Sequence, residues 1–371
     1  MRAALVATGF SGSGGEQELF YRRLAGALAY STDLTVLSLA PSSEGIRGFP
    51  FDVKSFPTEL NPRRARALLE ASSSLDTIPR FIQEEVARAE GGFSLELLED
   101  LKKEAYDVVV FCGYKYASTV FGIHAVTSDT RVVLVPSAID DPLFWLPTYD
   151  AVFKSSDRIL VSTKSEQALV SRRLGGQNSG KIINVKFALR INQLSMETNP
   201  WGESGGSYIV ASGNSLDDET YERTVDLGAL VTSEYPDVRV MIVERNPDRR
   251  RPHSWLERRR LASRADLWRW SAKALAFLDA QPGRVIGRDA LEAQMCGTPI
   301  IASRYGWATR EHAEVGDGGL WFDLSSELLS CIDKLLEPHV RDALANQGRE
   351  YALSEYGDPD TFVKSVTEAI H

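Results

Sequence analysis

Short apolar runs alternate with longer amphipathic stretches along most of this chain. Arg2–Thr8 (RAALVAT) opens it as a continuous apolar run, which fits a strand buried on both faces. The loop GFSGSGGE follows, then an amphipathic helix predicted over 17–30 and a second strand over 34–39 (LTVLSL). Strand, glycine loop, helix, strand is the opening of a Rossmann-like half. The loop spacing is G-x-G-G-E, so the G-x-G-x-x-G dinucleotide fingerprint is absent. Residues 57–105 read as two or three polar helices. Strands then recur at 107–112 (DVVVFC), 132–135, 157–162 (DRILVS) and 181–185, with helices starting near Leu143 and Ser165. Such alternation predicts a parallel sheet covered by helices on both faces.

The polar stretch QLSMETNPWGESGGS, between 192 and 207, carries the Gly, Ser and Pro of a domain linker. A second alternation follows it: a strand at 208–211, a helix through Val231 and a strand at 238–243. A Trp/Arg-rich region predicted as helical covers 245–273, and another strand is expected at 274–278. From Leu324 onward the chain reads as mostly helical. Two domains are therefore expected, residues 1–192 and 207–357. A chain of 371 residues is long enough to give each its own core.

Composition narrows the function. Hydrophobic content of 43% and charged content of 25% are those of an ordinary globular protein. The net charge of −9 argues against a nucleic-acid binder, which would show a basic excess. Cys112, Cys296 and Cys331 are an odd, sparse set without metal-ligand spacing, which points to a reducing compartment. His124, His253, His312 and His339 have no paired spacing either, so no metal is expected. No signal-peptide layout precedes the first strand, and no apolar run approaches the roughly 20 residues that span a bilayer. These features predict a cytoplasmic protein.

The segment RVIGRDALEAQMCGTPIIAS, 284–303, carries the densest chemistry. It predicts a tight loop at Gly287, a short helix over Asp289–Cys296 capped by Asp289, a left-handed stop at Gly297 and a buried strand from Ile300. Pro299 forbids the helix from continuing. A helix that opens after a loop presents backbone N–H groups and a partial positive charge, which suits phosphate. Glu292 lies near that opening, where a carboxylate can accept from the two hydroxyls of a ribose. The alternative is a solvated Glu on a short helix of an ordinary α/β domain.

LEAxxCGTPIIAS resembles the nucleotide-sugar-binding segment of family 4 glycosyltransferases, enzymes of the GT-B fold. The resemblance implies an α/β protein with two Rossmann-like domains whose parallel sheets face across a cleft. It implies also that the last helix, 358–371, joins the first domain. Donor-binding positions carried over are Gly213, Asn214, Arg284, Gly287, Arg288, Asp289, Ala290, Leu291 and Glu292. Gly14, Gly15 and Glu16, with Gly12 before them, sit where the family places a G-G-x-E-like loop on the cleft floor. Asp140 and Asp141 of VPSAIDDP (135–142) are candidates to hold acceptor hydroxyls, or else to cap the next helix.

Four positions depart from the family pattern. The E-x7-E motif would need Glu at 284, which is Arg. Ile139 stands where a His beside the sugar is usual. Asn214 replaces the Arg after Gly213, and acidic residues occupy 217–219 where a Lys would neutralise the donor pyrophosphate. The basic segment 245–273 has three open readings. It is a solvated helical face, or a source of replacement cations, or a site for an acidic protein partner or the inner face of a membrane. In the last case Trp255, Trp268 and Trp270 would be interfacial anchors.

The expected function is a retaining glycosyltransferase that moves a hexose from a nucleotide-diphosphate sugar to an acceptor hydroxyl. That sugar is a co-substrate and no further cofactor is expected. The acceptor is a glycan, a lipid-linked sugar or a small molecule. The rival expectation is a catalytically inactive GT-B protein that serves as binding or regulatory partner of an active transferase.

Overall fold

The computed structural model describes residues 1–8, 10, 16–39, 49–56, 58, 61–72, 77–176, 179–189, 191, 207–213, 218–244, 253–281 and 286–371. The chain divides into two compact units, Met1–Phe187 with Asp360–His371, and Ala188–Pro359. Residues 192–206, the expected linker, lie outside the described residues.

In the first unit, β1 (Arg2–Thr8), β2 (Asp33–Leu39), β3 (Asp52–Ser55), β4 (Val108–Cys112), β5 (Arg131–Val135), β6 (Arg158–Val161) and β7 (Ile182–Asn184) form one sheet. Its order is β3-β2-β1-β4-β5-β6-β7. All neighbours are parallel, and Leu5 of β1 lies opposite Val36 of β2 and Val110 of β4. The apolar runs form strands here because helices cover both faces: β1 is buried from Ala3 onward and β4 throughout. The C-terminal helix Pro359–Ile370 packs in this unit, with Phe362 edge-on to Phe187. Arg131 Nη1 donates to the Ile370 and His371 carbonyls at 2.5 and 2.7 Å.

The second unit contains β8 (Tyr208–Ser212), β9 (Arg239–Glu244), β10 (Leu256–Arg260), β11 (Ala276–Asp279), β12 (Ile300–Ser303) and β13 (Gly319–Phe322). The order is β10-β9-β8-β11-β12-β13, again all parallel. Side chains alternate between two cores. Ile209, Ala211, Val240 and Ile242 pack with Tyr221 and Val225 of the Asp218–Glu234 helix. Tyr208, Val210, Met241 and Val243 pack with Trp270, Ala290 and Ala293 on the other face. The helices that follow β8 and β11 therefore lie on opposite faces. That strand order reverses at β8/β11, and such a switch point opens a crevice beyond the carboxyl ends of the strands.

Three strands depart from the sequence reading. β10 lies inside the region predicted as helical, with the sequence LERRR. It contains no β-branched residue, and pairing to β9 at the sheet edge overrides its local preference. β3 and β13, of four residues each, are too short to show a period. Near Leu143 a turn replaces the expected helix, and the next helical pieces are Pro147–Tyr149 and Asp150–Ser155.

Candidate functional site

The 284–303 segment meets the second sheet at its switch point. Its helix runs Arg288–Met295, one residue earlier than expected. Gly287 is the N-cap, at φ +65°, where L side chains are strained, and a Cβ there would stand 2.8 Å from Thr309 Oγ1. Asp289 is the second helical residue and does not cap; its carboxylate accepts from Arg264 Nη2 at 2.7 Å instead. Gly297 is left-handed at φ +81° and β12 begins at Ile300, both as expected.

Side chains distant in sequence hold this loop. Thr309 donates to Asp279 Oδ2 at 2.6 Å, and Asp279 Oδ1 accepts from the Gln281 N–H at 3.1 Å. Fully buried His312 donates from Nε2 to the Ile286 carbonyl at 2.7 Å; Nδ1 then accepts from the Tyr351 hydroxyl at 3.2 Å. Burial holds the imidazole below its ordinary value of 6.5, so it stays neutral near pH 7.

Glu292 is buried, and its carboxylate is filled by protein donors. Oε2 accepts from Arg264 Nε at 3.0 Å, from Arg264 Nη2 and from Trp268 Nε1 at 2.6 Å. Oε1 accepts from Arg288 Nε at 2.7 Å. A carboxylate offers about four acceptor sites, so these contacts saturate it. Burial works against the Arg264 charge, but Asp289 and Glu292 outweigh it and raise its pKa above the ordinary value. Among the described residues two arginines here face two carboxylates.

The other donor candidates divide. Gly213 ends β8 with its N–H on Val243 O at 2.8 Å, and a Cβ there would meet Ile242 Cγ2 at 2.9 Å. Ala290 and Leu291 are fully buried, and the Leu291 N–H bonds Gly287 O at 3.0 Å and is taken within the helix. Arg284, Asn214, Gly12, Gly14 and Gly15 lie outside the described residues, as does the Glu16 side chain. In the basic segment Trp270 is buried, Trp268 is bonded to Glu292 and Trp255 packs on the core beside Gly228. The Trp255 and Trp268 rings are half-buried.

In the first unit Asp140 and Asp141 are already engaged. Asp141 Oδ1 caps the turn by accepting from the Phe144 N–H at 2.8 Å. Asp140 accepts from Trp145 Nε1 at 2.7 Å and Arg172 Nη2 at 2.6 Å. Asp141 thus caps a turn where a helix was expected, and Asp140 is held by two side chains, one of them 32 residues away. Beside them Glu166 accepts from the Ala138 and Ser162 N–H groups, each at 2.8 Å, and ties β5's exit to β6's.

Sequence reasoning missed Arg264, Asp279, Thr309 and His312 as builders of this site. Their partners lie in other elements, and a lone His or Thr carries no spacing to betray it.

No family model matches the sequence, and no curated protein does. Solved structures match along the whole chain. Sucrose-phosphate synthase from Thermosynechococcus elongatus superposes with a TM-score of 0.70 at 15% identity, over 98% of this chain and 96% of that one. Anabaena HepE in complex with UDP and glucose gives 0.67 at 17%, over 99% and 98%. The apo form of the lipopolysaccharide outer core galactosyltransferase WaaB gives 0.65 at 13%, over 100% and 99%. The chain has the GT-B fold. In GT-B terms the unit with β8–β13 is the C-terminal Rossmann-like domain, and Ile286–Glu292 lies at its switch point.

Proposed function

We propose that this protein is a glycosyltransferase that uses a nucleotide-diphosphate sugar and moves its hexose, with retention, to an acceptor hydroxyl. The observation that carries the reading is the coincidence of two independent features. The segment that resembles a nucleotide-sugar site lies at the β8/β11 switch point, within a fold shared end to end with proteins named as sugar synthases and transferases. HepE in its complex holds UDP and glucose, which supports a uridine or similar nucleotide as donor carrier here.

In this reading the phosphates lie at the amino end of the Arg288–Met295 helix, where the backbone dipole favours an anion. Glu292 holds the ribose by exchange. Two hydroxyl donors take over from Trp268 and Arg264 on Oε2, and Asp289 keeps its bond to Arg264. Asp140 and Asp141 shape the acceptor-side turn. No helix among the described residues is long and apolar enough to cross a membrane. In this reading 245–273 is the contact for a membrane face or a protein partner.

Thermal denaturation in the presence of UDP, GDP, ADP and dTDP tests the proposal. Binding to the folded state raises Tm by linkage, by about 2.7 kcal/mol of stability at 100 times Kd. A shift with one nucleotide, and release of sugar from its donor when acceptors are added, is the expected result. Silence across the panel would sink the enzyme reading and leave the role of partner to an active transferase.

A further inference from the structure

Arg264 and Arg288 on the donor side are already paired with Asp289 and Glu292, and a diphosphate needs a cation that is not already spoken for. Among the described residues, Arg223, Arg264, Arg288, Arg304 and Arg310 stand on the segments that follow β8, β10, β11 and β12. Arg264 is paired with Asp289 and Glu292, and Arg288 with Glu292. Arg304 is paired with Asp323, and Arg310 with Glu314. Arg223 has no carboxylate partner among the described residues; its guanidinium rests 5.8 Å from the centroid of the Tyr305 ring.

That contact locates Arg223. It stands on the Asp218–Glu234 helix that follows β8, whereas Tyr305 follows β12. β11 lies between those two strands, so the pair spans the carboxyl end of β11. Gly306, beside Tyr305, packs against the end of the same strand, since a Cβ on it would stand 2.9 Å from Gln281 O. The helix bearing Arg223 and the helix opened by Arg288 cover opposite faces of the sheet. Arg223 therefore lines the wall of the switch-point crevice across from Gly287 and Arg288. A half-exposed Tyr305 ring, 49% accessible, holds the guanidinium through its face and leaves its N–H fork for a ligand.

We propose that Arg223, steadied by Tyr305, is a diphosphate-binding cation of this protein. It takes over the neutralising charge that Asn214 and the acidic 217–219 run do not supply. The inference rests on the proposed function, because it presumes a nucleoside diphosphate in the crevice. It differs from the helix-dipole contribution in being removable by one side chain. A fork of charged N–H donors binds two phosphate oxygens more strongly than a neutral amide does.

The test is a ratio. The affinities of UDP, GDP, ADP and dTDP are measured by calorimetry against those of uridine, guanosine, adenosine and thymidine, in the wild type, Arg223→Gln and Arg223→Lys. Charge-assisted contacts predict that Arg223→Gln lowers the diphosphate-over-nucleoside preference by about 10- to 100-fold. Arg223→Lys should recover part of it, and nucleoside affinity and ligand-free Tm should stay near wild type in both variants. A wild type that prefers a diphosphate, with an Arg223→Gln that keeps the full preference, overturns this assignment alone. A fall in nucleoside and diphosphate affinity by the same factor also overturns it, since that marks a structural role. A wild type indifferent to all four diphosphates overturns it together with the proposed function.

Discussion

Two pairs of acidic side chains, one in each unit, look alike in sequence and differ in what holds them. Asp141 in the first unit is bonded by its own turn, through the Phe144 N–H, whereas Asp140 takes Trp145 Nε1 and, 32 residues away, Arg172 Nη2. Asp289 and Glu292 in the second are bonded by Arg264, 25 and 28 residues away, and Glu292 also by Trp268 and Arg288. A carboxylate that accepts backbone N–H bonds from its own turn is a local brace, and moving it dissolves the turn. A carboxylate held by guanidinium and indole side chains of other elements joins those elements instead. The lesson is that the donors, more than the acidic residue itself, separate a carboxylate that braces its own turn from one that ties distant stretches together.

Removing Glu292 should have the largest effect. Glu292→Ala leaves Arg264 and Arg288 without their shared acceptor in a buried setting, and breaking such a pair costs about 3–5 kcal/mol. Urea denaturation would read this loss, and any nucleotide-induced rise in Tm should vanish with it. A loss under about 1 kcal/mol would show that the carboxylate is better solvated than its burial implies.

Glu166→Gln comes next. The buried carboxylate accepts from the Ala138 and Ser162 N–H groups, and the amide can satisfy only one of them. Loss of a charge-assisted bond in the interior predicts about 1.5–3 kcal/mol of destabilisation, with no change in nucleotide response. A changed nucleotide response would blur the division between the two units.

The turn itself gives a smaller effect. Asp141→Ala removes the cap on Phe144 N–H and should cost about 1 kcal/mol. Asp140→Asn weakens a pair whose arginine is largely exposed, and a change within about 1 kcal/mol is expected.

A pH series sharpens the comparison from another direction. The folded-state pKa of His312 lies below its unfolded value of 6.5, so the folded chain binds the proton less readily. Stability from this group is complete above pH 6.5. It declines as the pH falls from there towards the folded-state value, with a limiting slope of about 1.4 kcal/mol per pH unit. His312→Gln should flatten that part of the acid limb and loosen the Ile286 loop, which hydrogen exchange at Gly287 and Arg288 would detect. An unchanged acid limb would place the titrating group elsewhere.

How much of this was legible follows from the range over which each residue acts. The buried runs at β1, β4, β5 and β8, the helix around Glu292 and the left-handed Gly297 could be read directly. Each depends on neighbours within one or two turns of chain. Asp141 as a cap belongs to the same class. Arg264 on Glu292 could not be read, because 28 residues and strand β11 separate them and the basic run around Arg264 looks solvated. β10 was hidden for a related reason: an arginine-rich strand is stabilised by β9 and not by its own preference.

The sequence by itself thus determined the alternation of elements, the two-domain plan and the place where the helix bearing Glu292 would open. Those properties arise from apolar periodicity, glycine geometry and capping, all of which are local. The tertiary structure alone decided that Glu292 is saturated, that His312 and Thr309 pin the Gly287 loop, and that Arg223 meets Tyr305 above β11. These depend on which strands become neighbours, a property of the folded sheet order that no single stretch of chain encodes.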